Sequence, residues 1–195
     1  MRWSMTMPRF HDENYGHFIT TKTFRNKRLF HDPRCCEILL EDIKFYRKKL
    51  GFKLVGYVIM PDHIHLIVWW DVGKHPELTV SKIMRSIKSY SGNAIARYLH
   101  PGRRGPLTSS VKRSGQGTRP TPKEYPHRKM SEQKYNIWQP SFYDFNIYSD
   151  KKLEEKINYI HWNPVRAGLC KDPEDWPWSS FCEFVKTGYD KKIGE

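Results

Sequence analysis

The sequence predicts an α+β fold in which an antiparallel sheet carries helices on one face. Three observations predict it. Two apolar, β-branched runs flank a tight turn at residues 61–62, two segments repeat apolar residues at helical spacing, and strand-like segments lie before the first helix and after the second. In chain order these elements give β-α-β-β-α-β, the split-βαβ, ferredoxin-like arrangement, with one C-terminal helix appended.

The first half of the chain contains three predicted strands and one helix. Residues 15–24 alternate as a strand, and residues 34–50 repeat apolar side chains at helical spacing until Gly51 ends the run. Residues 53–60 and 63–70 are rich in Val, Ile and aromatic side chains. The Pro-Asp turn between them predicts a hairpin.

The second half contains a helix, a strand and the appended helix. Apolar residues trace an amphipathic helix over 80–98, and residues 137–148 return to aromatic-rich strand character. Asp150 is suited to cap the appended helix, which we place over residues 151–163. Pro164 disfavours helical geometry in the residue before it, so we expect the helix to end or kink there.

Residues 101–135 differ in composition from the rest of the chain. Pro, Gly, Ser and Thr dominate, and nine Lys and Arg stand against two Glu. Such a segment buries too little apolar surface to offset its ordering entropy. We expect a flexible basic insertion within one domain of residues 1–195. Either the insertion binds DNA electrostatically or it is a dispensable loop.

The overall composition favours a polyanionic partner. The 195 residues carry 34 Lys and Arg against 21 Asp and Glu, a formal net charge of +13, with seven Trp and eleven Tyr. This balance favours nucleic acid over an acidic small molecule. No apolar run approaches the roughly 18 residues of a spanning helix, and the N-terminus lacks a signal-peptide core. We expect a cytoplasmic, nucleoid-associated monomer or homodimer with free thiols and no membrane partner.

The second strand of the hairpin has the most informative pattern. His63 and His65 lie two residues apart in an apolar run, so both imidazoles share one face while Ile64 and Leu66 take the other. Two imidazoles on one rigid strand suit a divalent metal ion. A pair of half-exposed structural histidines is the alternative.

The appended helix offers a nucleophile and a further ligand. Tyr159 and Asn163 are four residues apart on one helix face, so a phenol and a carboxamide can be presented to one site. A carboxamide oxygen is a fair ligand for Mg²⁺ or Mn²⁺, and a phosphoryl group at that metal would lie near the Tyr159 oxygen. The pattern predicts phosphoryl transfer to tyrosine. A core or surface tyrosine with a helix-ending asparagine is the alternative.

Basic side chains at three places are candidates for DNA contact. They lie in the turn after the first strand, outside the apolar stripe of the second helix, and just after the appended helix. An ordinary solvated surface is the alternative. The candidates are Arg25, Lys27, Arg28, Lys82, Arg85, Lys88, Arg97 and Arg166.

Several motifs occur in an order that resembles a known family. The segment Met60-Pro61-Asp62-His63-Ile64-His65 resembles the strand signature of the single-tyrosine transposases of the IS200-like superfamily. Three later segments resemble the branch of that superfamily associated with repeated extragenic palindromes. They are residues 137–144, 158–169 and 175–180, and the likeness as a whole covers about residues 15–100 and 136–182.

The resemblance implies specific roles and a substrate. It implies that His63 and His65 bind the metal ion, and that Tyr159 becomes joined to a DNA 5′-phosphate. Asn163 is implied as the third ligand, where mobile relatives carry glutamine. The implied substrate is single-stranded DNA beside a folded hairpin, which is nicked and rejoined with Mg²⁺ or Mn²⁺, on the same ferredoxin-like fold.

Two other functions remain open. A domesticated hairpin-DNA-binding regulator would keep the fold and the basic surface without transposition. A ferredoxin-like RNA-binding module would use aromatic residues of the sheet but has no use for His63, His65 and Tyr159 together. Metal-dependent covalent capture of DNA separates both from a transposase.

Overall fold

The computed structural model describes residues 15–101 and 136–186, so most of the basic insertion predicted at 101–135 lies outside the described residues. The predicted order of strands and helices is confirmed within those ranges. The elements are β1 (Gly16–Lys22), α1 (Pro33–Leu50), β2 (Lys53–Met60), β3 (His63–Trp69), α2 (Val80–Leu99), β4 (Tyr143–Ile147), α3 (Asp150–Arg166) and α4 (Phe181–Lys186). None of the helices in these ranges has the length and apolar character to span a membrane.

The four strands form one antiparallel sheet in the order β2-β3-β1-β4. Strand β3 therefore lies between β1 and β2, and β1 lies between β3 and β4. This interleaving of two βαβ units is the ferredoxin-like split βαβ. The predicted fold class is confirmed.

Alternation along the strands divides the core between the two faces of the sheet. One face packs under α1 and α2, and the other packs under α3. Side chains such as Ile19, Ile64 and Leu66 belong to the first core, and Phe18, Val58 and Ile67 belong to the second. The appended helix α3 therefore covers the opposite face from the other two long helices.

The start of α3 differs from the prediction by one residue. Ser149, not Asp150, is the capping residue, because its hydroxyl accepts a hydrogen bond from the Lys152 N–H at 3.3 Å. Serine and aspartate are both good caps, so local sequence does not separate neighbours of this kind.

The end of α3 also differs from the prediction. The helix continues through Pro164 to Arg166, so of the two outcomes expected at residue 163, an end or a kink, the end is wrong. Proline removes one backbone donor, but the last turn is completed by donors beyond it. The Ala167 N–H donates to the Asn163 carbonyl at 3.0 Å, and the Leu169 N–H donates to the Pro164 carbonyl at 2.9 Å.

Strand β4 is shorter than predicted. Regular pairing covers Tyr143–Ile147, whereas residues 137–142 form only an isolated bridge between Trp138 and Thr23. The carbonyls of residues 139–141 accept hydrogen bonds from the ammonium of Lys88 on α2 instead. Those carbonyls are therefore satisfied without a strand partner.

Candidate active site

His65 lies in a row of side chains that crosses the sheet. It is opposite Thr20 of β1, and Thr20 is opposite Tyr143 of β4. His63 is opposite Lys22 in the next row. Because directly paired residues share a face and the period along a strand is two, all five side chains lie on the α3 side of the sheet.

The two imidazoles are adjacent, and each is held at Nδ1. Their ring centroids are 4.9 Å apart. His65 Nδ1 lies 2.7 Å from the Thr20 hydroxyl, and His63 Nδ1 lies 2.6 Å from a carboxylate oxygen of Asp62. In both rings Nε2 is left as the free nitrogen, and that of His65 is buried without a hydrogen-bond partner.

The electrostatic surroundings keep His65 neutral. Burial lowers its pKa to about 3, and electrostatic interactions with His63, Lys22 and Lys156 act in the same direction. A neutral imidazole with a free nitrogen is the form that binds a metal ion. Within the described residues no cluster of three or more His, Cys, Asp or Glu side chains is placed to hold such an ion. A site here would need another type of donor beside the two histidines.

Helix α3 brings Tyr159 to this pair. The Tyr159 ring centroid lies 5.3 Å from that of His65 and 5.8 Å from that of Phe18, and the side chain is 39% exposed. The neighbouring Ile160 is fully buried against β2 at Gly56, where a β-carbon would stand 2.8 Å from its Cδ1 atom. The absence of a side chain at Gly56 lets α3 approach the sheet closely enough to place Tyr159 beside the histidines.

The C-terminal segment holds α3 from the outer edge of β2. The Ile59 N–H donates to the Trp178 carbonyl at 2.8 Å, and the Ser180 N–H donates to the Tyr57 carbonyl at 2.9 Å. His161 Nε2 lies 3.0 Å from the Ser180 hydroxyl, and burial lowers the His161 pKa to about 4. This neutral, buried pair links α3 to the segment that lines β2.

Two of the predicted site residues follow Tyr159 along α3. Asn163 lies one helical turn further on and is half-buried. Arg166 places its guanidinium carbon 5.9 Å from the centroid of the Tyr159 ring. Helical spacing therefore groups the predicted ligand and one predicted DNA contact with the tyrosine.

Sequence reasoning missed three residues of this site: Thr20, Lys22 and Lys156. The Lys156 ammonium lies 5.2 Å from the Phe18 ring centroid and 4.9 Å from that of Phe145. Its position three residues before Tyr159 was a usable signal, because that spacing puts both on one helix face. Thr20 and Lys22 depend on the pairing of β1 with β3, which local sequence does not report.

The basic turn after β1 lies at the His63 end of the sheet. Its candidates Arg25, Lys27 and Arg28 are exposed. The turn is tied to the start of β3, because the Thr23 N–H donates to the Asp62 carbonyl at 2.8 Å. The three cations therefore follow closely, in sequence, a residue that is hydrogen-bonded to the turn just before His63.

The candidates on α2 are placed differently. Lys82, Arg85 and Arg97 are exposed, but α2 lies across the sheet from Tyr159. Burial lowers the pKa of Lys88, whose ammonium donates to the Gln139 and Ser141 carbonyls at 2.5 Å and 3.0 Å. Lys88 thus has a structural role in holding the segment before β4.

Comparisons with known proteins find similar chains among transposases. The model of a family described as IS200-like transposases matches residues 11–108, about half of the chain. A REP-associated tyrosine transposase of Haemophilus influenzae is 33% identical over 138 residues, which are 69% of this chain and 62% of that relative. One from Escherichia coli is 42% identical over 53 residues, 27% of this chain and 32% of the relative. The chain thus spans less than two thirds of either relative.

A solved structure shares the fold. It is described as the REP-associated tyrosine transposase bound to a REP hairpin, and it aligns with a TM-score of 0.63 at 23% identity. The alignment covers 93% of this chain and 85% of the other. This match shows a shared fold. The family model, which covers half of the chain, confirms the resemblance of the motifs to IS200-like transposases.

Proposed function

The chain belongs to the IS200-like transposase family, and we propose that it nicks and rejoins single-stranded DNA at hairpin sequences through a covalent 5′-phosphotyrosine intermediate. One observation carries the proposal. The ring of Tyr159 lies 5.3 Å from that of His65, which in turn adjoins His63, on one face of the sheet. If the two histidines were purely structural, there would be no reason for the half-exposed phenol of Tyr159 to lie beside them.

Tyr159 is the proposed nucleophile. Its phenolic oxygen attacks the phosphorus of the scissile phosphodiester, the bond from phosphorus to the 3′ oxygen breaks, and the departing 3′ oxygen takes up a proton. The phenol of Tyr159 must give up its own proton as it attacks. Rejoining is the reverse reaction, in which a DNA 3′-hydroxyl displaces the tyrosine.

The donors at the site fit a divalent ion, which we propose to be Mg²⁺ or Mn²⁺. His63 and His65 would hold it through Nε2, because Asp62 and Thr20 occupy the Nδ1 atoms. Asn163 would add its carboxamide oxygen. When bound, the ion would stabilise negative charge on the scissile phosphate.

Positive side chains around the tyrosine would hold the DNA backbone. Lys22, Lys156 and Arg166 belong to the site itself, and the basic turn after β1 extends their charge along the sheet end. Backbone contacts of this kind supply affinity for single strands without reading sequence. The proposed partner is hairpin-bearing single-stranded DNA in the cytoplasm, on which the protein acts as a monomer or homodimer.

The proposal is tested by covalent capture. The purified chain is incubated with Mn²⁺ and a library of hairpin-bearing single strands, denatured, and the attached strands are sequenced. We expect attached strands that share a hairpin at a fixed distance from the cleaved end, and none in EDTA. Hairpins retained only before denaturation would indicate the domesticated regulator, and stronger retention of RNA would indicate the RNA-binding module. Either result would overturn the proposal.

A further inference from the structure

We infer that Tyr143 on β4 forms a base-stacking subsite for the nucleotide beside the scissile phosphate, with Lys156 binding the backbone between that base and Tyr159. The inference rests on the proposed function, because it names how the single strand approaches the tyrosine. It concerns β4, the strand of the sheet farthest from β2, which supplies none of the proposed catalytic or metal-binding residues.

The position of Tyr143 follows from the register of the sheet. Tyr143 is directly opposite Thr20, and Thr20 is directly opposite His65, so the three side chains lie in one row on the α3 face. Neighbouring strands are about 4.8 Å apart, which places the Tyr143 backbone about 10 Å from that of His65. The aromatic ring is therefore close enough to the proposed reaction centre for one short single strand to contact both.

Tyr143 differs in exposure from the other aromatic side chains on this face. Phe18 is 5% exposed and packs between the sheet and α3, whereas Tyr143 is 57% exposed. A large aromatic ring left open on the same face as the site residues has no packing role that would explain it. Exposed rings of this kind bind the faces of unpaired bases.

Lys156 supplies the charge that a DNA backbone requires between the two tyrosines. Its ammonium lies over Phe18 and Phe145, which are paired across β1 and β4 in the row next to that of Tyr143. Phe18 in turn contacts the Tyr159 ring edge-on. An open ring, a cation and the proposed nucleophile, those of Tyr143, Lys156 and Tyr159, therefore lie on one face of the sheet.

This combination selects single-stranded over duplex DNA as the occupant. A ring can stack on a base only where the base is unpaired, whereas a paired duplex offers mainly its phosphates. The ring and the cation should therefore make two distinct contributions to the binding affinity. Loss of Tyr143 should reduce binding of strands that have bases, and loss of Lys156 should reduce binding of any phosphate backbone.

The test measures fluorescence anisotropy in EDTA with two labelled probes, an oligothymidylate and an abasic oligomer of the same length. We expect Tyr143→Leu to weaken oligothymidylate binding about tenfold, the loss of one base stack, and to leave abasic binding unchanged. Tyr143→Trp should retain the affinity. Lys156→Met should weaken both probes by the same factor.

Tyr148→Leu is the matched control, because Tyr148 is also 57% exposed but follows the end of β4. It should change neither probe. Equal weakening of both probes by Tyr143→Leu, no weakening, or a loss that Tyr148→Leu reproduces would overturn the stacking subsite. The proposed function is overturned by a separate result, the absence of a covalent adduct with any hairpin strand. The anisotropy assay does not measure adduct formation, so the two failures can be told apart.

Discussion

The Thr20 hydroxyl of β1 lies 2.7 Å from Nδ1 of His65 on β3. This hydrogen bond fixes the imidazole from the neighbouring strand and leaves Nε2, which is buried without a partner, as the free nitrogen. His63 is held in the same way by the carboxylate of Asp62 at 2.6 Å. The orientation of the histidine pair is therefore set by residues outside the pair, as in metal sites whose outer residues determine ligand geometry.

Thr20→Val should reduce adduct formation by about 10- to 100-fold, because it replaces the hydroxyl with a methyl group of similar size and releases the His65 ring. The reduction should appear mainly as a higher Mn²⁺ requirement, measured by titrating the ion in the capture assay. Thr20→Ser keeps the hydroxyl and should stay close to wild type. Equal activity of the valine and serine variants would show that the hydrogen bond has no part in the site.

His63→Ala and His65→Ala should each suppress adduct formation more strongly than Thr20→Val does, because each removes a proposed metal ligand. Thermal melts should show that both variants still fold. His31→Ala, at an exposed histidine in the short helical turn before α1, serves as the control. Full activity in excess EDTA, or collapse of the fold in both variants, would favour structural histidines.

The buried cysteines of α1 give a prediction on stability. Burial raises the pKa of Cys35 to about 11 and that of Cys36 to about 12. Above the ordinary thiol value of 9 the unfolded chain releases protons that the folded chain retains. These thiols therefore contribute stability that is complete below pH 9 and is lost as the pH rises towards 11 and 12.

Denaturant melts at increasing pH measure this effect. The free energy of unfolding should fall in the alkaline range, and Cys36→Ala should make that fall shallower even though its stability at neutral pH is lower. A thiol reagent should modify the half-buried Cys170 and Cys182 long before the other two cysteines. Modification of all four at one rate in the folded protein would contradict the burial of Cys35 and Cys36.

The parts of the site that were predictable from sequence depend on fixed backbone periods. The alternation of a strand places His63 and His65 on one face, and the turn of a helix places Tyr159 one turn before Asn163. Both relations follow from short spacings in the chain. Fold class was predictable for the same reason, because each element carries its own apolar period.

The missed residues depend on packing between distant segments. Thr20 and Lys22 join the site through the register of β1 against β3, and Lys156 joins it because α3 seats on Gly56. Lys88 looks like a solvated helix residue, but its carbonyl partners come from a segment about 50 positions later. Such contacts leave no periodic signal in the local sequence.

The basic stretch over 101–135 gives a prediction on salt dependence. Replacing it with a short Gly-Ser bridge from Leu99 to Asn136 should make binding less sensitive to salt, because each lost phosphate contact reduces the log–log slope by roughly 0.7 for single strands. Three or four contacts would change the slope by about 2 to 3. The cleavage position should not move, since backbone contacts carry little base information.

The control for that deletion is a full-length stretch in which Gln replaces Lys and Arg. It should reproduce the shallower slope if charge alone is responsible. An unchanged slope would show that the stretch does not contact DNA. A shifted cleavage position would show that it reads the hairpin directly.

The central claim is that Tyr159 is the nucleophile, and mass spectrometry of the adduct tests it most directly. After capture on a hairpin strand, nuclease and protease digestion should leave the 5′-phosphate remnant on the peptide that contains Tyr159. Tyr159→Phe should form no adduct while binding the hairpin about as tightly as wild type, because only the attacking oxygen is lost. Tyr57 is buried in the core on the opposite face, so exposed Tyr143 is the nearest alternative. An adduct that persists in Tyr159→Phe, with the remnant on the peptide of Tyr143, would contradict the account.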